Sequence, residues 1–127
     1  MIYTLTTDQS LESVKAQIEE RAKEAGFGVL KQYDFKTLLE SKGFPIERDI
    51  TVFELCNPSV AQEALTLHPE ISVYLPCRIS LYEQDGKTVL LTIGIEEMLG
   101  NFELEESFKT YMHQIFDRLK ALIRSWE

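Results

Sequence analysis

The sequence predicts an α+β domain, an antiparallel β-sheet with helices packed on one of its faces, in β-α-β(4)-α order. Three observations predict it. Residues 1–7 alternate like a short strand and lead into a stretch with helical spacing of apolar residues. Four further strand-like segments follow, separated by turn residues and short helical patches. Residues 102–126 then form one long amphipathic stretch, and two helices of this kind bury their apolar stripes best on a common sheet face.

In chain order, Asp8 or Ser10 can cap a first helix whose apolar positions are Leu11, Val14, Ile18, Ala22 and Ala25. Gly26 ends that helix by supplying a left-handed position that other residues adopt at a cost. Residues 27–33 make the second strand, and Asp34 can cap a short helix running through Leu38 and Leu39 to Gly43. Residues 49–56 form the third strand. Either Asn57 or Ser59 then caps another short helix: Asn57 has Pro58 in the favoured first helical position, whereas Ser59 has Gln62 three residues on, as a capping box requires.

The segment around residues 73–82 decides which side chains share a face. Strict alternation sets Val73, Leu75, Cys77, Ile79 and Leu81 toward the core, and Tyr74, Pro76, Arg78, Ser80 and Tyr82 outward. A two-residue Asp85-Gly86 loop sets Leu81 against Leu90 and puts Val89, Leu91 and Ile93 outward with Tyr82, Ser80 and Arg78. A three-residue loop with left-handed Gly86 pairs Leu81 with Val89, Ile79 with Leu91, Cys77 with Ile93 and Leu75 with Ile95, which keeps apolar residues together; it is the expected register. In the last helix, Phe108, Tyr111, Met112, Ile115, Phe116, Leu119, Leu122, Ile123 and Trp126 line one stripe. Glu103, Glu105 and Glu106 stand near its start and Arg118, Lys120 and Arg124 near its end, as the helix dipole favours.

With 127 residues, no repeat and no linker-like stretch, residues 1–127 read as a single domain. Thirteen basic against twenty-one acidic residues give a net charge of −8, which argues against nucleic acid and anionic membrane surfaces as partners. No stretch approaches the ~20 apolar residues of a membrane span, and residues 1–8 do not read as a signal peptide, so the expectation is a soluble, cytoplasmic chain.

Phe53-Glu54-Leu55-Cys56-Asn57-Pro58, then Ala61 and Ala64-Leu65, then Leu75-Pro76-Cys77-Arg78-Ile79-Ser80 resemble the domain of unknown function 302 family. The opening strand, the helix ending in Ala25-Gly26-Phe27-Gly28-Val29-Leu30 and the segment from Asp34 to Gly43 are similar to that family in order and spacing. The resemblance implies the fold and brings no activity, catalytic residue or cofactor. The order of elements also matches the TATA-binding-protein-like fold group, and shared fold carries no inference about DNA.

No phosphate-binding glycine loop, nucleophile elbow or zinc-protease motif occurs, and no catalytic residue or cofactor is assigned. Cys77 shares its face with Leu75 and Ile79 and reads as a packed thiol, whereas Cys56 ends a strand just before a helix start, where backbone N–H groups can activate a thiol. His68 and His113 are far apart and show no metal-ligand spacing, so no metal site is assigned. The ligand-binding candidates are Cys56, Asn57, Arg78, Tyr74 and Tyr82, with Arg78 expected among Tyr74, Ser80, Tyr82 and Thr92 on a sheet face that no helix covers. The favoured reading is a non-enzymatic binding or interaction module that forms a homodimer through that face, with a small-molecule ligand as a further partner. The alternative is a thiol-based redox or metal-handling protein using Cys56 and Cys77.

Overall fold

A computed structural model describes residues 1–127. Five strands form one antiparallel sheet: β1 (Ile2–Thr7), β2 (Gly28–Asp34), β3 (Ile50–Cys56), β4 (Cys77–Gln84) and β5 (Lys87–Ile93), in spatial order β1-β5-β4-β3-β2. The helices are α1 (Leu11–Glu24), α2 (Phe35–Ser41), α3 (Pro58–Leu67), α4 (Ile95–Leu99) and α5 (Glu106–Arg124), with a 3₁₀ turn at Pro69–Tyr74. The α+β expectation holds, with the two long helices packed on one sheet face.

That face is built from Phe53 and Leu55 of β3, Ile79 and Leu81 of β4 and Leu90 of β5, all at most 3% exposed. Val14, Ile18 and Ala22 of α1 and Ile115, Leu119 and Ile123 of α5 close over them in one continuous core. Trp126, just beyond α5, joins the two long helices. Its Nε1 donates to Gln17 Oε1 at 2.8 Å, and the Arg21 guanidinium lies 4.5 Å from the ring while donating to the Ser125 carbonyl at 2.9 Å.

Local capping follows the side chains. Ser10, not Asp8, caps α1 by accepting from the Ser13 N–H, and Gly26 stands at φ +91° behind it. Asn57 caps α3, accepting from the Val60 N–H, and Ser59 serves instead as a donor to the Asn57 oxygen. Asp34, expected as a cap, makes no capping bond. Its carboxylate is held by Lys15, Thr51 and Gln32, at 3.0 to 3.3 Å, and so joins α1 to β2 and β3. Burial alone would raise the Asp34 pKa, but these hydrogen bonds outweigh it and hold it below the ordinary carboxylate value.

Three expectations are corrected. Residues 69–74 are a 3₁₀ turn, so β4 begins at Cys77 and Val73 is 72% exposed, because Pro69 starts a helical turn and a strand cannot run through it. The long helix begins at Glu106, preceded by a separate short helix, α4, that the amphipathic stripe did not announce.

The third correction is the hairpin register. Gln84 pairs with Lys87, Leu81 with Leu90 and Ser80 with Leu91, a two-residue loop with Asp85 at φ 53° and Gly86 at φ 78°. Two successive left-handed residues make the turn whose twist matches that of the flanking strands, and this outweighs the neater sorting of apolar residues. Threonine hydroxyls make the other register affordable. Thr88, Thr92 and Thr51 lie on the core face, where they donate to the Gln9 carbonyl, the Arg78 carbonyl and Asp34. Val89, Leu91 and Ile93 consequently join Arg78, Ser80 and Tyr82 on the outer face.

Two stability outcomes are expected. Gly86→Ala, where a Cβ meets nothing within 4 Å, retains the strain of its positive φ alone and should cost about 1 kcal/mol in urea unfolding. Because the folded Asp34 pKa is depressed, its stabilisation is present above about pH 4 and is lost as pH falls through the folded value. The stability advantage of the native protein over Asp34→Asn, measured by unfolding at a series of pH values, should therefore shrink on acidification below about pH 4.

Candidate functional site

Backbone pairing creates the main concavity. The β4–β5 ladder runs from Gln84 and Lys87 only as far as Ser80 and Leu91. Beyond that point β4 continues along β3, to Cys77 opposite Leu55, while β5 continues along β1, to Ile93 opposite Ile2. In the gap the Thr92 hydroxyl donates to the Arg78 carbonyl at 2.7 Å, in place of a ladder bond.

Below this end of the sheet lie two adjoining lobes that share Phe27, Leu75, Pro76, Cys77, Met112 and Ile115. The larger, about 300 Å³, is bounded by α3 through Val60, Ala61, Ala64 and Leu65 and by the end of β3 through Leu55 and Cys56, with Asn57 at the junction. The smaller, about 80 Å³, lies in the strand gap between Arg78, Thr92 and Ile93, under Met98, Phe116 and Leu119. Most lining side chains are apolar, and Arg78 is the one charged residue among them.

Of the residues singled out from sequence, Cys56 and Asn57 line the larger lobe, and Tyr74 and Arg78 the smaller. Tyr82 stands apart on the outer sheet face, with the Arg48 guanidinium 5.5 Å from its ring. Two residues expected with Arg78 on the outer sheet face are not on that face. Tyr74 belongs to the 3₁₀ turn and bonds to Asn101, and Thr92 points to the core face. Arg78 instead meets Glu54 at 3.4 Å, whose carboxylate also accepts from the Tyr33 hydroxyl at 2.9 Å. Met98 of the unforeseen α4, and Met112 and Ile115 of the α5 stripe, are lining residues that periodicity marks only as core.

Both cysteines are free and partly buried. Burial pushes the Cys77 thiol above its ordinary value and the nearby Cys56 adds to the rise, more than Arg78 offsets. Cys77 is therefore a protonated, packed thiol at neutral pH. No group of three or more His, Cys, Asp or Glu side chains converges anywhere in the chain, so the two sulfurs have no third ligand of those types. His68 is engaged elsewhere. Its Nε2 lies 2.8 Å from Glu105 and its Nδ1 3.5 Å from Glu70, and its ring meets Phe108 edge-on. Glu105 is held below the ordinary carboxylate value by its own backbone N–H and by His68.

The sequence profile of the family described as "Domain of unknown function DUF302" matches residues 3–126. The chain belongs to the DUF302 family. A solved DUF302 structure, the uncharacterized conserved protein from Bacillus stearothermophilus, superimposes with a TM-score of 0.86 at 25% identity, covering 99% of this chain and 98% of that one. No curated protein matches the chain. DUF302 membership thus agrees with the fold and attaches no chemistry to the cleft. No helix is long and apolar enough to cross a membrane.

Since Cys77 is both packed and raised in pKa, iodoacetamide at neutral pH should modify Cys56 first. Peptide mass analysis should show Cys77 lagging by roughly tenfold or more.

Proposed function

We propose that the chain is a non-enzymatic interaction module that pairs with a second copy of itself through the outer sheet face. One observation carries the reading: the face opposite α1 and α5 bears a band of apolar and aromatic side chains, most of them partly or largely exposed. Across it run Ile2, Ile93, Leu91, Val52 and Ile50, together with Tyr82 and Tyr33, around Val89, which its neighbours already bury. Ile2 and Ile93 are 53% and 48% exposed, a cost that burial against a partner removes.

Charge and size favour a second copy as that partner. The net charge of −8 opposes self-association in general, yet this face carries only Glu54 against Lys31, Arg78 and Lys87. The acidic excess lies elsewhere and does not oppose pairing here. Five strands spaced about 4.8 Å apart, each rising about 3.3 Å per residue, present a projected area on the order of 500 Å². Side-chain relief raises that toward the roughly 800 Å² of accessible surface per partner in stable complexes. Tyrosine and arginine among aliphatic side chains match the composition of such interfaces, and a twofold axis lets one face complement itself.

Sedimentation velocity across a concentration series tests this reading. The native protein should sediment as a dimer at high concentration. Leu91→Glu and Ile2→Glu should each sediment as monomers, weakening association at least tenfold, while keeping cooperative thermal unfolding. A native protein that stays monomeric at the highest concentration would refute the proposal, as would dimers that survive both changes.

A further inference from the structure

We propose that the larger lobe of the cleft binds a small, uncharged, mainly apolar molecule carrying one hydrogen-bond acceptor, which the Asn57 amide receives. Its volume, about 300 Å³, falls at the lower end of the range of small-ligand sites. Thirty-four of the 127 residues are Asp, Glu, Lys or Arg, and none of them lines this lobe. A charged ligand would lose its hydration there with no charged side chain in the lining of this lobe to compensate it, whereas an apolar one replaces water against Val60, Ala64, Leu65, Met112 and Ile115. Cys77 is neutral for the same reason and adds no charge.

Asn57 gives the ligand its polar feature. Its side-chain oxygen is committed to the start of α3, accepting from the Val60 N–H at 3.3 Å and the Ser59 hydroxyl at 3.0 Å. That commitment fixes the orientation of the amide and leaves the nitrogen as the outward donor. The nitrogen donates to no group of the chain and is not among the buried, unpartnered polar atoms; it lies beside Gly26, the residue before the lobe-lining Phe27, which leaves it free to meet a ligand oxygen. A ketone, ester or ether oxygen accepts from it without bringing a charge. This site lies on the helix side of the sheet and is independent of the dimer face.

2-Octanone and octanoate, which share chain length and differ in charge, are suitable probes. In an amide NMR titration of the full chain, 2-octanone should give saturable shifts centred on Cys56, Asn57, Cys77 and Ile115. Octanoate should bind roughly tenfold more weakly or worse. Asn57→Ser keeps the capping oxygen and removes the donor, and should weaken 2-octanone by roughly fivefold. Ala61→Phe should fill the lobe and abolish the shifts. In the unmodified protein 2-octanone should also slow iodoacetamide modification of Cys56, a readout that stands even if Ala61→Phe fails to fold. Octanoate binding as tightly as 2-octanone overturns the inference. So do shifts that are absent or lie outside the cleft, 2-octanone binding unaltered in a folded Ala61→Phe protein, or Cys56 modification at an undiminished rate.

Discussion

The two left-handed residues at Asp85 and Gly86 fix the middle of the sheet, and most of the architecture follows from them. With only two residues in the loop, Leu90 rather than Val89 turns toward the helices, and every second residue of β5 follows. A one-residue slip in a strand exchanges its faces completely. The core then receives Thr88 and Thr92, while Leu91 and Ile93 stay partly exposed as apolar surface on the outer side. The arrangement holds because each inward threonine hydroxyl has an acceptor, so none is buried without a partner.

The same pair of central strands gives the molecule its concavity. A ladder that stops at Ser80 and Leu91 leaves the far ends of β4 and β5 attached to different neighbours, and the helix side of the sheet does not close there. Side chains from α3, α4 and α5 border the opening without filling it. Thiols, methionines and aliphatic groups make this an apolar, polarisable environment, unlike the charged exterior.

Element type was legible from the sequence wherever a local signal sufficed. The period of α1 and α5, the glycine stop at Gly26 and the choice of Asn57 or Ser59 before α3 all depend on residues within a turn or two of each other. Alternation within β4 correctly set Cys77 inward and Arg78 outward from the point where the strand begins. The hairpin register was not legible, because it sets turn strain against the burial of Thr88 and Thr92, and their acceptors at Gln9 and Arg78 come from other parts of the chain. For the cleft, Cys56, Asn57 and Arg78 could be singled out, but Met112 and Ile115 read as ordinary core. Only the end of the β4–β5 ladder, a feature of three dimensions, turns part of that stripe into a wall.

The edge strand β2 is shaped against the addition of further strands. Its pairing with β3 shifts between Val29 and Lys31, so Leu30 bulges out, 62% exposed, and Lys31 and Asp34 add charge along the strand. A kinked, charged rim offers a poor template for adding strands from other molecules, which discourages open-ended fibrous growth.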